Sequence, residues 1–514
     1  MASLVTRFWR TGPAKGDTGS EVSWNERPDE LTDSASNTPK PIGLISATSI
    51  GISLMIGSGI FSTPASILGL VGTPSMALIL WILGGIISYG GATAFIELGL
   101  MYRKNGGTMR FLAHGFPKPR ALFAYLFAWV MIVCIRPGAI AANGPVIGKY
   151  WLYAAGEDHN TGWNARGVGW GCITFVTALN IFSAKWSLRL INLLTVVKIV
   201  VLLIIVITGI VAAAGGIDIE KNDNWSRGFR GTKNDAHSYS SALTRVFWAY
   251  DGFSNLVYSL GELRKPERNL PWSIGGAVGI VSFLYIMANV AFFFVVPINV
   301  AISSEEILAA EFTYRVFGDN IGRIALPVFI GLSVLGAIAS QTYGVSRLLD
   351  SANEVEFIPY GRKICGNNKR TGTPIASLVI MYVLTMIYLL APPPGKVFDL
   401  LVDFVQWSTW LFYGLAAVGA IVLRFRIPHH PLRTFKSFHP LNGLFILFCA
   451  FITVMPFVPP EGGDSGDPYP YYLSPLLGAL TTLVGVVPWY FRMFWWADKA
   501  GEDYTQWIAE EERG

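Results

Sequence analysis

"MIGSGIF", Met55 to Phe61, stands in the middle of an apolar stretch, Ile42 to Leu70, that otherwise has the length and composition of one membrane-spanning helix. Gly57 and Gly59 flank Ser58 at the depth where a helix in lipid most needs its internal hydrogen bonds. A glycine inside a helix costs about 1 kcal/mol relative to alanine, so this pair weakens the span at its centre. On these residues alone two readings are open. Small residues can let a neighbouring helix pack closely, or the helix can be interrupted so that freed backbone groups face a ligand.

The surrounding sequence places that stretch in a membrane. Of 514 residues, 52% are hydrophobic and 14% charged, against about 25% charged in an ordinary soluble domain. The mean hydropathy is +0.45. The apolar residues gather into blocks long enough to cross a bilayer, which takes ~20 residues each. VVKIVVLLIIVITGIVAAA from Val196 and SIGGAVGIVSFLYIMANVAFFFVV from Ser273 are two of them. The fold class is therefore an all-α polytopic membrane protein of about twelve transmembrane helices. The spans begin near Ile42, Pro74, Arg120, Gly167, Leu190, Ser241, Trp272, Ile321, Pro374, Val397, Phe438 and Tyr471. Residues 1–40 are polar without an apolar core and read as a disordered cytoplasmic arm. The expected organisation continues with a first five-helix repeat at 41–216, an extracellular loop at 217–240 and a second repeat at 241–426. Helices 11 and 12 follow at 427–496, then a short polar cytoplasmic tail at 497–514.

Orientation follows from lysine and arginine. With both termini inside, the basic segments MYRKNGGTMRFLAHGFPKPR, SAKWSLR, ELRKPERN, IPYGRKICGNNKR and RFRIPHHPLRTFK all face the cytoplasm. GLVGTP, PINVAISSEEILAAEF and VPPEGGDSGDPYP then lie outside and are neutral or acidic; only the loop from Asp218 to His237 is mixed. The net charge of +5 belongs to the cytoplasmic leaflet, not to nucleic acid. Cys134, Cys172 and Cys449 fall in spans and Cys365 in a basic inner loop, so no disulfide is expected, and their spacing suits no metal. No Walker loop, nucleophile elbow or HExxH is present, so neither an enzyme nor a cofactor is indicated.

A second interruption bears on the first. The sixth span reads TRVFWAYDGFSNLVYSLGELRKP, with Ala249-Tyr250-Asp251-Gly252-Phe253 near its middle. A carboxylate at membrane depth costs several kcal/mol unless water or a partner meets it. Spans one and six correspond if the chain is two five-span units, and matching interruptions are the sequence mark of a transporter with inverted repeats. Where the first helix unwinds, the amides of Ser58, Gly59 and Ile60 start a half-helix without internal partners and carry a positive partial charge that suits a carboxylate. Ile56 and Gly57 lead into that turn. Opposite, carbonyls near Ala249 to Asp251 can accept from an ammonium group. A zwitterion fits between them with no net charge to bury.

These motifs resemble the amino acid–polyamine–organocation superfamily, and within it the L-type amino acid transporter branch and its fungal methionine-permease-like relatives. The resemblance rests on GSGIF at Gly57 to Phe61, IRP at Ile135 to Pro137, FWAYDGF at Phe247 to Phe253 and ELRKPERNLPWSI at Glu262 to Ile274. ELGLMYRKNGG after span two and SRLL at Ser346 to Leu349 are weaker matches. It implies two inverted five-span halves with broken helices 1 and 6 plus two further helices, and amino acid transport by alternating access. It also implies that Lys198, inside span five, takes the place of a sodium ion, where the plain alternative is a snorkelling lysine. A lysine held out of water can exchange a proton, which makes Lys198 the candidate for proton coupling as well. Gln406 in DFVQWSTW resembles a polar pocket residue of the branch, or makes only an interhelical hydrogen bond. Trp248 and Phe253 either close over a bound side chain or simply pack. Arg136 of the IRP reads as a structural brace of span three.

This chain departs from the branch in two places. Relatives usually carry glycine or a small neutral residue where Asp251 stands; the carboxylate selects cationic cargo, couples protons, or pairs with Lys198 or a neighbour, the last being first in order because a buried charge needs a partner. Animal members of the branch bond a glycoprotein through an outer-loop cysteine before span four, and YAAGEDHNTGWNARG has none. No disulfide-linked heavy chain is expected. The sequence thus points to a sodium-independent plasma-membrane carrier of neutral L-amino acids, by proton coupling or exchange, with methionine or other large neutral side chains suggested by the resemblance. A carrier of cationic amino acids, polyamines, choline or GABA and a non-transporting amino acid sensor are the alternatives.

Overall fold

The structure, a computed structural model, describes residues 42–157, 162–217, 222–358, 373–392, 397–460 and 470–513. The N-terminal arm at 1–40 and Cys365 lie outside them. Among the described residues the regular elements are helical, apart from one isolated bridge between Ile42 and Leu263.

The first span is α1 (Leu44–Met55), then α2 (Gly59–Ser62) and α3 (Pro64–Val71). The second is α4 (Pro74–Met101), followed by a short helix, α5 (Thr108–Gly115). The third joins α6 (Leu122–Val130) to α7 (Arg136–Ala154) through one wide helical turn at Met131–Ile135. Span four is α8 (Trp163–Phe182), span five α9 (Ala184–Ala213) and the first half of span six α10 (Ala236–Tyr250). Then come α11 (Pro266–Val295), α12 (Leu326–Glu354), α13 (Ile375–Leu390), α14 (Val397–Arg426), α15 (His439–Val454) and α16 (Leu473–Val484), and α17 (Gln506–Arg513) near the end of the chain.

Among the described residues, nine helical stretches are long and apolar enough to cross a bilayer. Span four falls short because it carries Asn164, Arg166 and Asn180, span nine because α13 has 16 residues, and span six because it is broken. The packing exchanges partners between halves: α1 lies against α9 and α11, and α10 against α14 and α4. Span one thus packs on spans five and seven, and span six on spans ten and two.

Two buried charge clusters brace the end of the bundle that carries the basic segments. Glu97 of α4, fully buried, accepts from Arg424 Nε at 2.8 Å and from the Ser437 amide at 2.9 Å, and lies 3.5 Å from Arg433. Nearby, the polar stretch after Trp496 forms α17, which seats Glu511 against Arg110 and against His114 Nε2 at 3.0 Å, with Lys104 at 3.2 Å. Burial alone pushes the Glu511 carboxyl up, but the His114 hydrogen bond and the charges of Arg110 and Lys104 outweigh it and pull it down to about 2.

Candidate functional site

The first break is a true end and restart. Helix α1 stops at Met55; Ile56 leaves the helical region with ψ at 71°, and the chain turns helical again at Gly59. Span six stops at Tyr250, where Asp251 is extended and Gly252 takes φ of +138°, then resumes as a 3₁₀ helix from Asn255 to Glu262. The backbones cross at these breaks. A Cβ on Gly59 would stand 2.4 Å from the Ala249 Cα, and one on Gly252 would stand 2.8 Å from the Met55 nitrogen. Glycine at both places is what lets the two chains touch, and at Gly252 the left-handed φ requires it as well.

The crossing leaves backbone groups uncovered. Among the described residues, the amides of Ser58, Gly59 and Ile60 meet no acceptor, while the next ones, Phe61 and Ser62, bond back to the Ser58 carbonyl at 3.0 and 2.8 Å. On the carbonyl side the Tyr285 hydroxyl of α11 donates to Met55 O, and it reaches Ala249 O at 3.1 Å. The hydroxyl has a single proton, so it bonds one of these carbonyls at a time and stands between the loose ends of both breaks.

A small cavity of about 20 Å³ lies at the crossing, room for about one water. Gly57, Ser58, Gly59, Trp248 and Asp251 line it from the broken helices, Arg136, Ala139 and Asn143 from α7, and Ala337 and Gln341 from α12. Beyond it opens a vestibule of about 820 Å³ lined by Ser62, Arg245, Lys149, Glu306 and Asp399 among others. Ser62 is one helical turn from Ser58 and Arg245 one turn from Trp248, so the two spaces are stacked along the same pair of helices. At the partition the Trp248 indole donates to Ser58 Oγ at 3.2 Å. Above it Arg245 pairs with Asp399 at 3.3 Å and Lys149 with Glu306 at 2.6 Å.

Other residues singled out in the sequence sit behind this lining. Ile56 and Ile60 are fully buried. Tyr250 donates to Trp81 O at 3.1 Å, and Phe253 packs edge-on to Phe95 at 5.5 Å, away from the cavity. Gln406, with its amide oxygen turned inward, accepts from the Trp248 main-chain N–H at 2.9 Å and the Trp410 indole at 3.1 Å, an interhelical bond between α14 and α10. Lys198 reaches from α9 to donate to Ser53 O at 2.6 Å, one turn before the first break, with Ser340 Oγ of α12 bonded to Ser53 Oγ at 3.0 Å. Its neighbour is therefore backbone of the interrupted helix, not Asp251. Asp251 instead lines the cavity with Arg136 and accepts from the Tyr413 hydroxyl at 3.4 Å.

Sequence reading passed over Asn143, Gln341 and Tyr285 and gave Arg136 only a bracing role. The usable signal was an amide at bilayer depth in an otherwise small or apolar run, GAIAANGPV and GAIASQTYG.

The match to known proteins runs along nearly the whole span-bearing chain. A family model described as amino acid permease matches residues 42–482. The chain is 30% identical over 433 residues to the high-affinity methionine permease of Saccharomyces cerevisiae, covering 83% of this chain and 74% of that protein. It is 29% identical over 478 residues to the b(0,+)-type amino acid transporter 1 of Mus musculus, covering 91% of each. Against the Asc-type amino acid transporter 1 of Mus musculus it is 28% identical over 462 residues, 89% of this chain and 82% of that one. From its first interrupted helix to its last span, the chain belongs to the amino acid permease family.

Proposed function

We propose that the protein carries neutral L-amino acids across the plasma membrane by alternating access, without sodium, with both termini cytoplasmic. The observation that carries this reading is the row of uncovered amides at Ser58, Gly59 and Ile60, lying at a small cavity where two interrupted helices cross. Uncovered amides at a helix start favour a carboxylate. Carbonyls at the end of α10 offer the ammonium group its partner. Both halves of a zwitterion are then met by backbone, which is indifferent to the side chain.

Alternating access is supported by the stacked spaces: a wide vestibule on one side, a cavity with room for about one water beneath it, and Trp248 between them. Opening of the opposite end follows from movement of the two short half-helices, which are free to tilt because their ladders are already cut. Lys198 supports sodium independence. Its ammonium group donates to a backbone carbonyl of the first span beside the break and lies near a hydroxyl pair, Ser53 and Ser340, the kind of oxygen cluster a bound cation needs. Its loss or gain of a proton is the proposed coupling step, with exchange of one amino acid for another as the uncoupled mode. The carboxylate of Asp251 does not argue for cationic cargo, because Arg136 lines the same cavity. With no cysteine in the loop before span four, the carrier works without a disulfide-linked heavy chain.

The test is uptake of a panel of radiolabelled amino acids by reconstituted vesicles, with and without a proton gradient, in sodium and in choline buffer. Methionine belongs in the panel because a relative carries that name. Saturable uptake of neutral amino acids that is equal in both buffers is expected; absence of uptake for every amino acid refutes the transport reading.

A further inference from the structure

Side-chain choice in such a carrier must come from the wall opposite the broken helices, since the backbone groups treat all α-amino acids alike. That wall is built from one face of α7, with Arg136, Ala139 and Asn143 at helical spacing, and one face of α12, with Ala337 and Gln341. A pocket for methionine or leucine would show aliphatic and aromatic side chains alone there. This wall has Ile135, Ala139 and Ala337, but polar atoms without partners stand among them. Arg136 Nη2, Asn143 Oδ1 and Gln341 Oε1 are each buried and hydrogen-bonded to nothing in the protein, and all three residues line the same cavity. Their side chains are more than nine-tenths buried, at 3%, 1% and 6% exposure. Each such atom costs about 1–3 kcal/mol unless something fills the vacancy, and here three of them converge on one cavity.

The orientations of Asn143 and Arg136 are set by their other contacts. Asn143 Nδ2 donates to Ala139 O at 2.7 Å, which turns its amide oxygen outward as an acceptor. Arg136 rests its guanidinium 5.6 Å from the centre of the Tyr258 ring and offers only donors. Asp251 adds a second acceptor class on the facing wall, held by the Tyr413 hydroxyl. The set is one cationic donor, two amide acceptors and one carboxylate, with the two charges opposed. A cationic side chain meets Arg136 as a like charge, and an anionic one meets Asp251 and the amide oxygens. A hydrocarbon or thioether leaves every one of these atoms unpaired. A carboxamide satisfies the set: its oxygen accepts from Arg136 while its two N–H groups serve Asn143, Gln341 or Asp251.

We propose that this wall is a carboxamide-selective side-chain pocket, so that glutamine and asparagine are taken in preference to methionine, norleucine and leucine. This rests on the transport reading above and specifies its substrate. A site built to bond a polar side chain rejects near-isosteres that lack the bond, because its own buried groups are then stranded. Glutamine and methionine have side chains of similar length, so size does not explain a difference between them.

The experiment compares glutamine, methionine and norleucine in the same vesicles, for the wild type and for Gln341→Leu and Asn143→Leu. Wild type is expected to take glutamine with a KM at least about tenfold below that of methionine or norleucine. Each variant is expected to lower the glutamine-to-methionine preference by about tenfold, the factor set by one lost buried bond. Should a variant fail to fold, thermal stabilisation of purified wild type by the three amino acids at equal concentration gives the same ranking. Methionine or norleucine matching glutamine in the wild type overturns the proposal and means that a single trapped water satisfies these atoms; so does an unchanged preference in both variants. If methionine is carried and glutamine is not, only this inference falls; if no amino acid is carried, both fall.

Discussion

Replacing Gly59 by alanine adds one methyl group where the two interrupted helices cross. The new Cβ would stand 2.4 Å from Ala249 Cα, 2.6 Å from its Cβ and 3.0 Å from its nitrogen. Non-bonded carbons rest about 3.5–4.0 Å apart, so the helices must part by at least about 1.1 Å. Two of the three atoms struck are main chain, so no rotamer change absorbs the strain. Overpacking of this kind costs about 1–3 kcal/mol, which is a factor of roughly 5 to 160 in a conformational equilibrium. If the breaks meet this closely only when the cavity is shut, the closed state loses that factor and the maximal uptake rate falls with it. Surface labelling checks that the variant reaches the membrane, and initial-rate uptake in vesicles reads the effect. Gly57→Ala is milder, because its Cβ meets Ala337 Cβ at 3.1 Å and Leu54 O at 3.3 Å, gaps that a small shift relieves. Gly279→Ala in α11 is the control, since its Cβ meets nothing within 4 Å. Valine at position 57 or 59 abolishes uptake. Wild-type rates in Gly59→Ala, or equal losses in all three alanine variants, would refute the idea that the crossing governs transport.

Three other perturbations probe separate parts of the structure. Lys198→Ala strips Ser53 O of its donor and is expected to flatten the pH dependence of uptake; an unaltered profile removes Lys198 from the coupling step. Glu97→Ala leaves Arg424 and Arg433 facing an empty site and is expected to destabilise the protein by about 3–5 kcal/mol, read as a lowered melting temperature in detergent, with Glu97→Gln less damaging. Helix α17 is held by a carboxyl whose value is depressed on docking, so Glu511 stabilises it fully above the free value near 4.5 and loses that contribution as pH falls toward 2. Protection of residues 506–513 from proteolysis is therefore expected to be unchanged by Glu511 titration between pH 5 and 8, and to drop at pH 7 in Glu511→Gln; equal protection in the variant refutes the clamp.

The division of labour between sequence and tertiary structure is visible residue by residue. Hydropathy and length settled the membrane class, because lipid demands long apolar helices whatever they pack against. Paired interruptions at Gly57-Ser58-Gly59 and Asp251-Gly252 were readable because glycine and a buried carboxylate violate that demand locally, and a violation is legible without partners. Span six shows the limit of the same logic: its break leaves α10 too short to register as an apolar span. What no string could supply was which residues face one another. Asp251 was compatible with Lys198 or any neighbour, and only the packing of α7 beside the break put Arg136 across from it. Gln406 turned inward to bond α10, while Asn143 and Gln341, unremarkable in sequence, came to share one cavity with unpaired atoms. Tyr285, far along the chain, closes over the carbonyls of both breaks. Hydrogen-bond partners are chosen by distances of a few ångströms between segments separated by tens to hundreds of residues, and those distances exist only once the helices have packed.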